Sequence, residues 1–140
     1  MVMVRVGRYN AVKEKSYLFS LRIIKLYRHL RDKKEFQLAN QVLRSGTSIG
    51  ANVEEGLGGS SRKDFKAKLD IAYREARETN YWIRLLKDAG IIEQRLANSF
   101  QEQCEELLKL LSSILNTLKL NTQTIRHSET TQNNDEKPRT

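Results

Sequence analysis

One cysteine, one proline and two histidines are spread over 140 residues, and these scarcities remove most site chemistries at the outset. Cys104 alone supports neither an internal disulfide nor a thiolate metal cluster, and His29 and His127 cannot form a three-histidine metal site. No HExxH, GxSxG or CxxC occurs, so no catalytic residue, metal or cofactor is expected. The glycine-bearing run RSGTSIGANVEEGLGGSS has no lysine after Gly50 or Gly56 and no GxGxxG spacing, which excludes a phosphate loop. Pro138 is the only proline, whereas an all-β chain of this length carries more turn punctuation. No apolar run approaches the ~20 residues of a membrane span, and the start MVMVRVGRYN lacks a long signal-peptide core, so the expectation is a cytoplasmic protein without membrane contact.

What is abundant is positive charge. The formal net charge is +8, and it is unevenly placed: segments 1–15, 16–35 and 60–90 are basic, while 36–59 and 91–120 are slightly acidic. Such segregation points to an anionic partner if basic segments pack into one-sided patches. With 39% apolar and 30% charged residues, the chain can bury one core under a heavily charged surface.

Periodicity predicts four helices. Phe65, Leu69, Ala72, Ala76, Thr79, Ile83 and Leu86 alternate steps of four and three residues, the spacing of a bundle seam. Ser61 and Asp64 form a capping-box-like start, and Gly90 is the expected stop. Ala97, Phe100, Cys104, Leu107, Leu111, Ile114 and Leu118 repeat the pattern. Residues 17–31 align Phe19, Ile23, Leu26, Tyr27 and Leu30, and residues 36–57 align Leu38, Val42, Ile49 and Val53. Short connections make antiparallel neighbours the simplest topology. The predicted fold is all-α, an antiparallel up-down four-helix bundle over 16–120, with a basic mobile N-terminal arm (1–15) and a polar disordered tail (121–140). Gly46 and Gly50, one turn apart, are expected where another helix crosses closely.

Glu75 and Glu78 fall within the apolar arc of the third helix, so donors are expected from the second, with Arg44 and Asn52 the chosen partners in a structural polar network. Opposite that arc, Lys63, Lys66, Arg74, Arg77, Tyr81 and Arg84 share about 80° of a helical wheel, which places cations one turn apart beside an aromatic ring. This is the candidate nucleic-acid stripe. Helix one offers a shorter one in Lys15, Arg22, Lys25, His29 and Lys33. Arg22 and His29 also match the Arg-x4-6-His spacing of HEPN-type ribonucleases, a short motif that arises readily by chance in an arginine-rich chain. Leu18, Leu21 and Ile24 on helix one, with Ile71, Trp82, Leu85 and Ala89 on helix three, exceed what one core needs and predict self-association.

The stretches KSYLFSLRIIKLYRHL, LRSGTSIGANVEEG and KDFKAKLDIAYREARETNYWIRLLKDAGII closely resemble the four-helix-bundle proteins encoded in intervening sequences of bacterial 23S ribosomal RNA genes. The likeness spans about residues 15–118 and is most specific at Arg44 to Ile49, Ala51-Asn52, Glu55-Gly56 and Glu75 to Trp82; Glu54 departs from it, since a small residue is usual there. The resemblance implies a ring-shaped homopentamer and kinship with the accessory variability protein of diversity-generating retroelements, a basic pentamer that binds nucleic acid. The resulting expectation is a non-enzymatic, oligomeric nucleic-acid-binding module with RNA favoured. A scaffold for an acidic protein partner and a ribonuclease using Arg22 and His29 are the alternatives.

Overall fold

The computed structural model describes residues 2–135, with side chains described over 7–121. Four helices follow one another: α1 (Val2–Asp32), α2 (Phe36–Leu57), α3 (Arg62–Asp88) and α4 (Gln94–Asp135). Each packs on its neighbours in chain order and α4 closes back on α1, while the backbones of the diagonal pairs α1/α3 and α2/α4 stay apart. This is the four-cornered arrangement of an up-down bundle.

The seams predicted from periodicity form the core. Leu69, Ala72, Ala76, Thr79, Ile83 and Leu86 of α3 are buried, as are Ala97, Phe100, Cys104, Leu107, Leu111, Ile114 and Leu118 of α4. Phe19, Ile23, Leu26 and Leu30 face them from α1, and Val42, Ile49 and Val53 from α2. Phe19 and Phe100 meet edge-on with centroids 6.0 Å apart, joining α1 to α4 inside the core.

Two helices run further than expected. Residues 2–15 continue α1, with Val12 and Ser16 fully buried and Tyr9 edge-on to Phe65 at 5.2 Å. The step Val12, Ser16, Phe19, Ile23 extends the α1 seam, but a serine at one of its positions and the charges Lys13, Glu14 and Lys15 around it hide the period. α4 likewise passes residue 120 and reaches Asp135. The boundaries expected at 15/16 and 120/121 are therefore not breaks in helix, and residues 136–140 of the expected tail lie outside the described residues.

Gly46 and Gly50 lie where α1 crosses α2. A Cβ on Gly46 would sit 2.7 Å from Ile23 Cγ1, and one on Gly50 would sit 3.2 Å from the Ser16 carbonyl oxygen. Close packing is thus the reason for glycine in mid-helix, where it costs about 1 kcal/mol in propensity. Ser61 caps α3 by accepting from the Asp64 N–H at 3.1 Å, as its spacing with Asp64 foretold.

The turns after α1 and α3 share one geometry. After α3, Gly90 takes φ 73°, its N–H donates to Lys87 O and that of Ile91 donates to Leu86 O. After α1, Lys34 takes φ 62°, its N–H donates to Arg31 O and that of Glu35 donates to Leu30 O. Both are Schellman stops, one with the customary glycine and one with a lysine.

Candidate nucleic-acid interface

Neighbouring helices alternate between basic and slightly acidic, and among the described residues ion pairs cross three of the four seams, all but α3/α4. Lys13 pairs with Glu54 and Lys68 with Glu55, tying α1 and α3 to α2, while Lys15 pairs with Glu106 across α1 and α4. The basic helices α1 and α3 are diagonal, their backbones apart, and they meet through the Tyr9 and Phe65 rings. The two stripes expected on α3 and α1 therefore lie on separate faces, each beside α4.

On the α2/α3 seam, the Arg44 guanidinium donates from Nη1 to Glu75 Oε2 at 3.2 Å and from Nη2 to Glu78 Oε2. Arg44 is half exposed, against 20% for Glu75 and 38% for Glu78. The hydrogen bond that Arg44 donates to Glu78 raises the Arg44 pKa above its ordinary value. Burial pushes the Glu75 carboxyl up, and the neighbouring Glu78 charge adds to this, which together outweigh the pull of Arg44. Asn52 does not join the network. Its Nδ2 donates instead to Ser48 O at 2.8 Å and Ser48 Oγ at 3.0 Å, one turn back along α2. Arg44 is two turns before Asn52, and that one position serves both carboxylates.

The predicted α3 stripe is on the outer surface next to α4. Arg74, Arg77, Tyr81, Arg84 and Lys63 are exposed, and Lys66 is half-buried in an i,i+4 pair with Asp70 at 3.3 Å. Among the described residues, Lys63, Arg74 and Arg77 have no ion-pair or hydrogen-bond partner for their side-chain cations. The Arg84 guanidinium is 5.8 Å from the Tyr81 ring centroid, and Tyr81 meets Trp82 edge-on at 5.1 Å. Arg77, Glu78, Asn80, Tyr81 and Arg84 line an open groove of about 390 Å³ with Leu108 of α4, and the Glu78 carboxylate in it is paired with Arg44. Asn80 Oδ1 is buried there without a hydrogen-bond partner, a feature no periodicity signals because Asn80 reads as an ordinary flank of the seam.

The α1 stripe does not behave as a row of free cations. Lys15 is paired with Glu106, and Lys33 Nζ donates to Ile91 O at 2.8 Å. Arg22 Nη1 donates to Ser99 Oγ at 3.1 Å and Gln103 Oε1 at 2.6 Å, and its guanidinium is 4.1 Å from the Phe100 centroid. Only Lys25 and His29 remain without side-chain partners among the described residues. The wheel showed which residues share a face of α1 and could not show that this face is the seam with α4.

No described group of histidine, cysteine, aspartate or glutamate is arranged to hold a metal ion, and no helix among the described residues is long and apolar enough to cross a membrane.

Residues 8–113 match the family described as 23S rRNA-intervening sequence protein. No curated protein matches the chain. Among solved structures, the chain is similar to a protein of unknown function from the S23 ribosomal protein family of Bacteroides thetaiotaomicron. The two are 45% identical with a TM-score of 0.76, over 78% of this chain and 98% of that one. The kinship with the retroelement accessory protein rests on the sequence resemblance alone, and nothing found favours an acidic-partner scaffold or a ribonuclease.

Proposed function

The chain belongs to the 23S rRNA-intervening sequence protein family, and on that premise we propose that it is a non-enzymatic binding module of the cytoplasm that associates with RNA through the outer face of α3. One observation carries the reading. In a bundle where ion pairs cross three of the four seams among the described residues, Lys63, Arg74 and Arg77 are left unpaired beside the exposed Tyr81. Unpaired cations one turn apart can follow successive phosphates, and an exposed aromatic ring can stack an unpaired base. The family's name gives RNA the preference over other polyanions.

Self-association belongs to the same proposal. Leu18 and Leu21 of α1 are 52% and 43% exposed, and Ile71 and Leu85 of α3 are each 37% exposed. These stripes support contacts between copies, five as the resemblance implies, and repetition would multiply weak RNA contacts.

The test is the salt dependence of binding to single-stranded RNA. The log–log slope should be about −0.7 for each phosphate neutralised. Arg74→Glu with Arg77→Glu should weaken binding and flatten the slope, with light scattering still reporting the wild-type assembly. An unchanged slope in the double variant overturns the placement on α3, and equal affinity for polyglutamate overturns RNA in favour of an acidic protein. A monomer at micromolar concentration overturns the self-association.

A further inference from the structure

The α1/α4 seam is the loosest of the four, and it opens into a cleft of about 270 Å³ at the level of Arg22 to His29. Leu26 and Phe100, nearly inaccessible to solvent, and the half-buried Leu96 make its apolar floor. Arg22, Lys25 and His29 supply its polar lining, and no carboxylate is among the lining residues. That absence is notable on a seam whose other end pairs Lys15 with Glu106.

The three polar residues are not equivalent. Arg22 is committed to Ser99 and Gln103 and lies over Phe100, so it is a fixed planar cation in the wall of the cleft. A guanidinium held in this way is prepared to stack against a flat aromatic group, because the entropy of ordering its side chain is already spent. Lys25 and His29, one turn apart on α1 and without partners among the described residues, are free to meet an anion at the rim. An apolar floor, a planar wall and an anion-binding edge together fit a flat ring that carries one phosphate. The volume is just below the roughly 300–1,000 Å³ typical of ligand pockets, which suits a single unit and not a folded chain.

We propose that this cleft binds one nucleotide, its base against Arg22 over the Leu26, Leu96 and Phe100 floor and its phosphate at Lys25 and His29. The inference deepens the RNA reading and rests on it for the source of the nucleotide, an unpaired residue of a bound strand. It lies on the opposite side of α4 from the Arg77 and Tyr81 groove, so a strand reaching both would cross α4.

The experiment titrates the full chain by calorimetry with adenosine monophosphate, with inorganic phosphate, and with a single-stranded RNA of about ten nucleotides. Adenosine monophosphate is expected to bind, and phosphate to bind at least about tenfold more weakly, because base stacking is worth that factor or more. Lys25→Gln with His29→Gln, both exposed and so without effect on the core, should weaken the nucleotide about tenfold and weaken the RNA as well. Arg22→Lys keeps the charge but loses the plane, and should narrow the gap between nucleotide and phosphate. Arg74→Glu with Arg77→Glu should leave the mononucleotide unaffected. A nucleotide that binds no better than phosphate, or equally well to the Lys25 and His29 double variant, overturns the proposal. If the RNA still binds with its salt slope in that case, the RNA reading survives its loss. If the nucleotide binds through the cleft while the RNA does not bind, the cleft stands and the RNA reading falls.

Discussion

Gly46 of α2 rests against Ile23 of α1 so closely that a Cβ would lie within 2.7–2.9 Å of three Ile23 side-chain carbons. Ile23 is fully buried, so it has no solvent-side rotamer into which to retreat. Gly46→Ala should therefore destabilise by about 1–3 kcal/mol despite the better helix propensity of alanine. Ile23→Ala should relieve the clash, giving a coupling between the two sites that a denaturant double-mutant cycle resolves as non-additivity. A simple gain in stability from Gly46→Ala would contradict the close crossing.

Arg44 with Glu75 and Glu78 gives a second prediction, smaller than burial of a full ion pair would give. Half exposure of Arg44 means solvent screening, so Arg44→Met and Glu78→Gln should each cost less than about 1 kcal/mol at neutral pH. Their unfolding midpoints should fall slightly, and Arg44→Met, which lies outside the Arg77 and Tyr81 groove, should leave RNA affinity unchanged.

The raised pKa of Glu75 sets a pH dependence of definite sign. A native state that holds the proton more tightly than the unfolded chain is favoured below the ordinary carboxylate value of 4.5, and that advantage is lost as pH rises through the raised value. Glu75→Gln, which mimics the protonated form, should therefore gain on the wild type between about pH 4 and pH 7. Denaturant midpoints of both proteins across that range check this, and a relative loss for Glu75→Gln on raising the pH would reverse the sign.

Lys34 and Gly90 occupy the same position in two similar helix stops, with φ 62° and 73°. Lys34→Gly should stabilise by about 0.5–1 kcal/mol, since relief of the left-handed strain exceeds the added freedom of the unfolded chain. A Cβ at Gly90 meets nothing within 4 Å, so Gly90→Ala should cost a similar amount for conformational reasons alone. Thermal unfolding of both variants gives the comparison.

Cys104 is fully buried, and burial, followed by the charge of Glu105, pushes its thiol up to about 12. It should resist iodoacetamide at neutral pH and react only through unfolding, so its labelling rate should follow the unfolded population across a denaturant series. Rapid labelling of the native protein would contradict its place in the α4 seam.

The sequence by itself determined the four seams, because burial along a helix repeats every three or four residues and Phe65 to Leu86 or Ala97 to Leu118 display that repeat without reference to any partner. It also located Gly46 and Gly50 as a crossing and Arg44 as the counter-ion of two carboxylates, since small residues and paired charges answer to local need. Tertiary structure alone decided the rest. Val12 and Ser16 joined the core because Gly50 brings α2 against Ser16, a constraint invisible along α1. Asn52 turned back to Ser48, since an amide within reach of its own helix need not cross to another. The two basic helices became diagonal, so most of the α1 stripe went to the α4 seam while Arg74 and Arg77 stayed in solvent. A helical wheel ranks faces but carries no information on which face a neighbour covers, and only packing assigns each cation to an anion, a carbonyl or water.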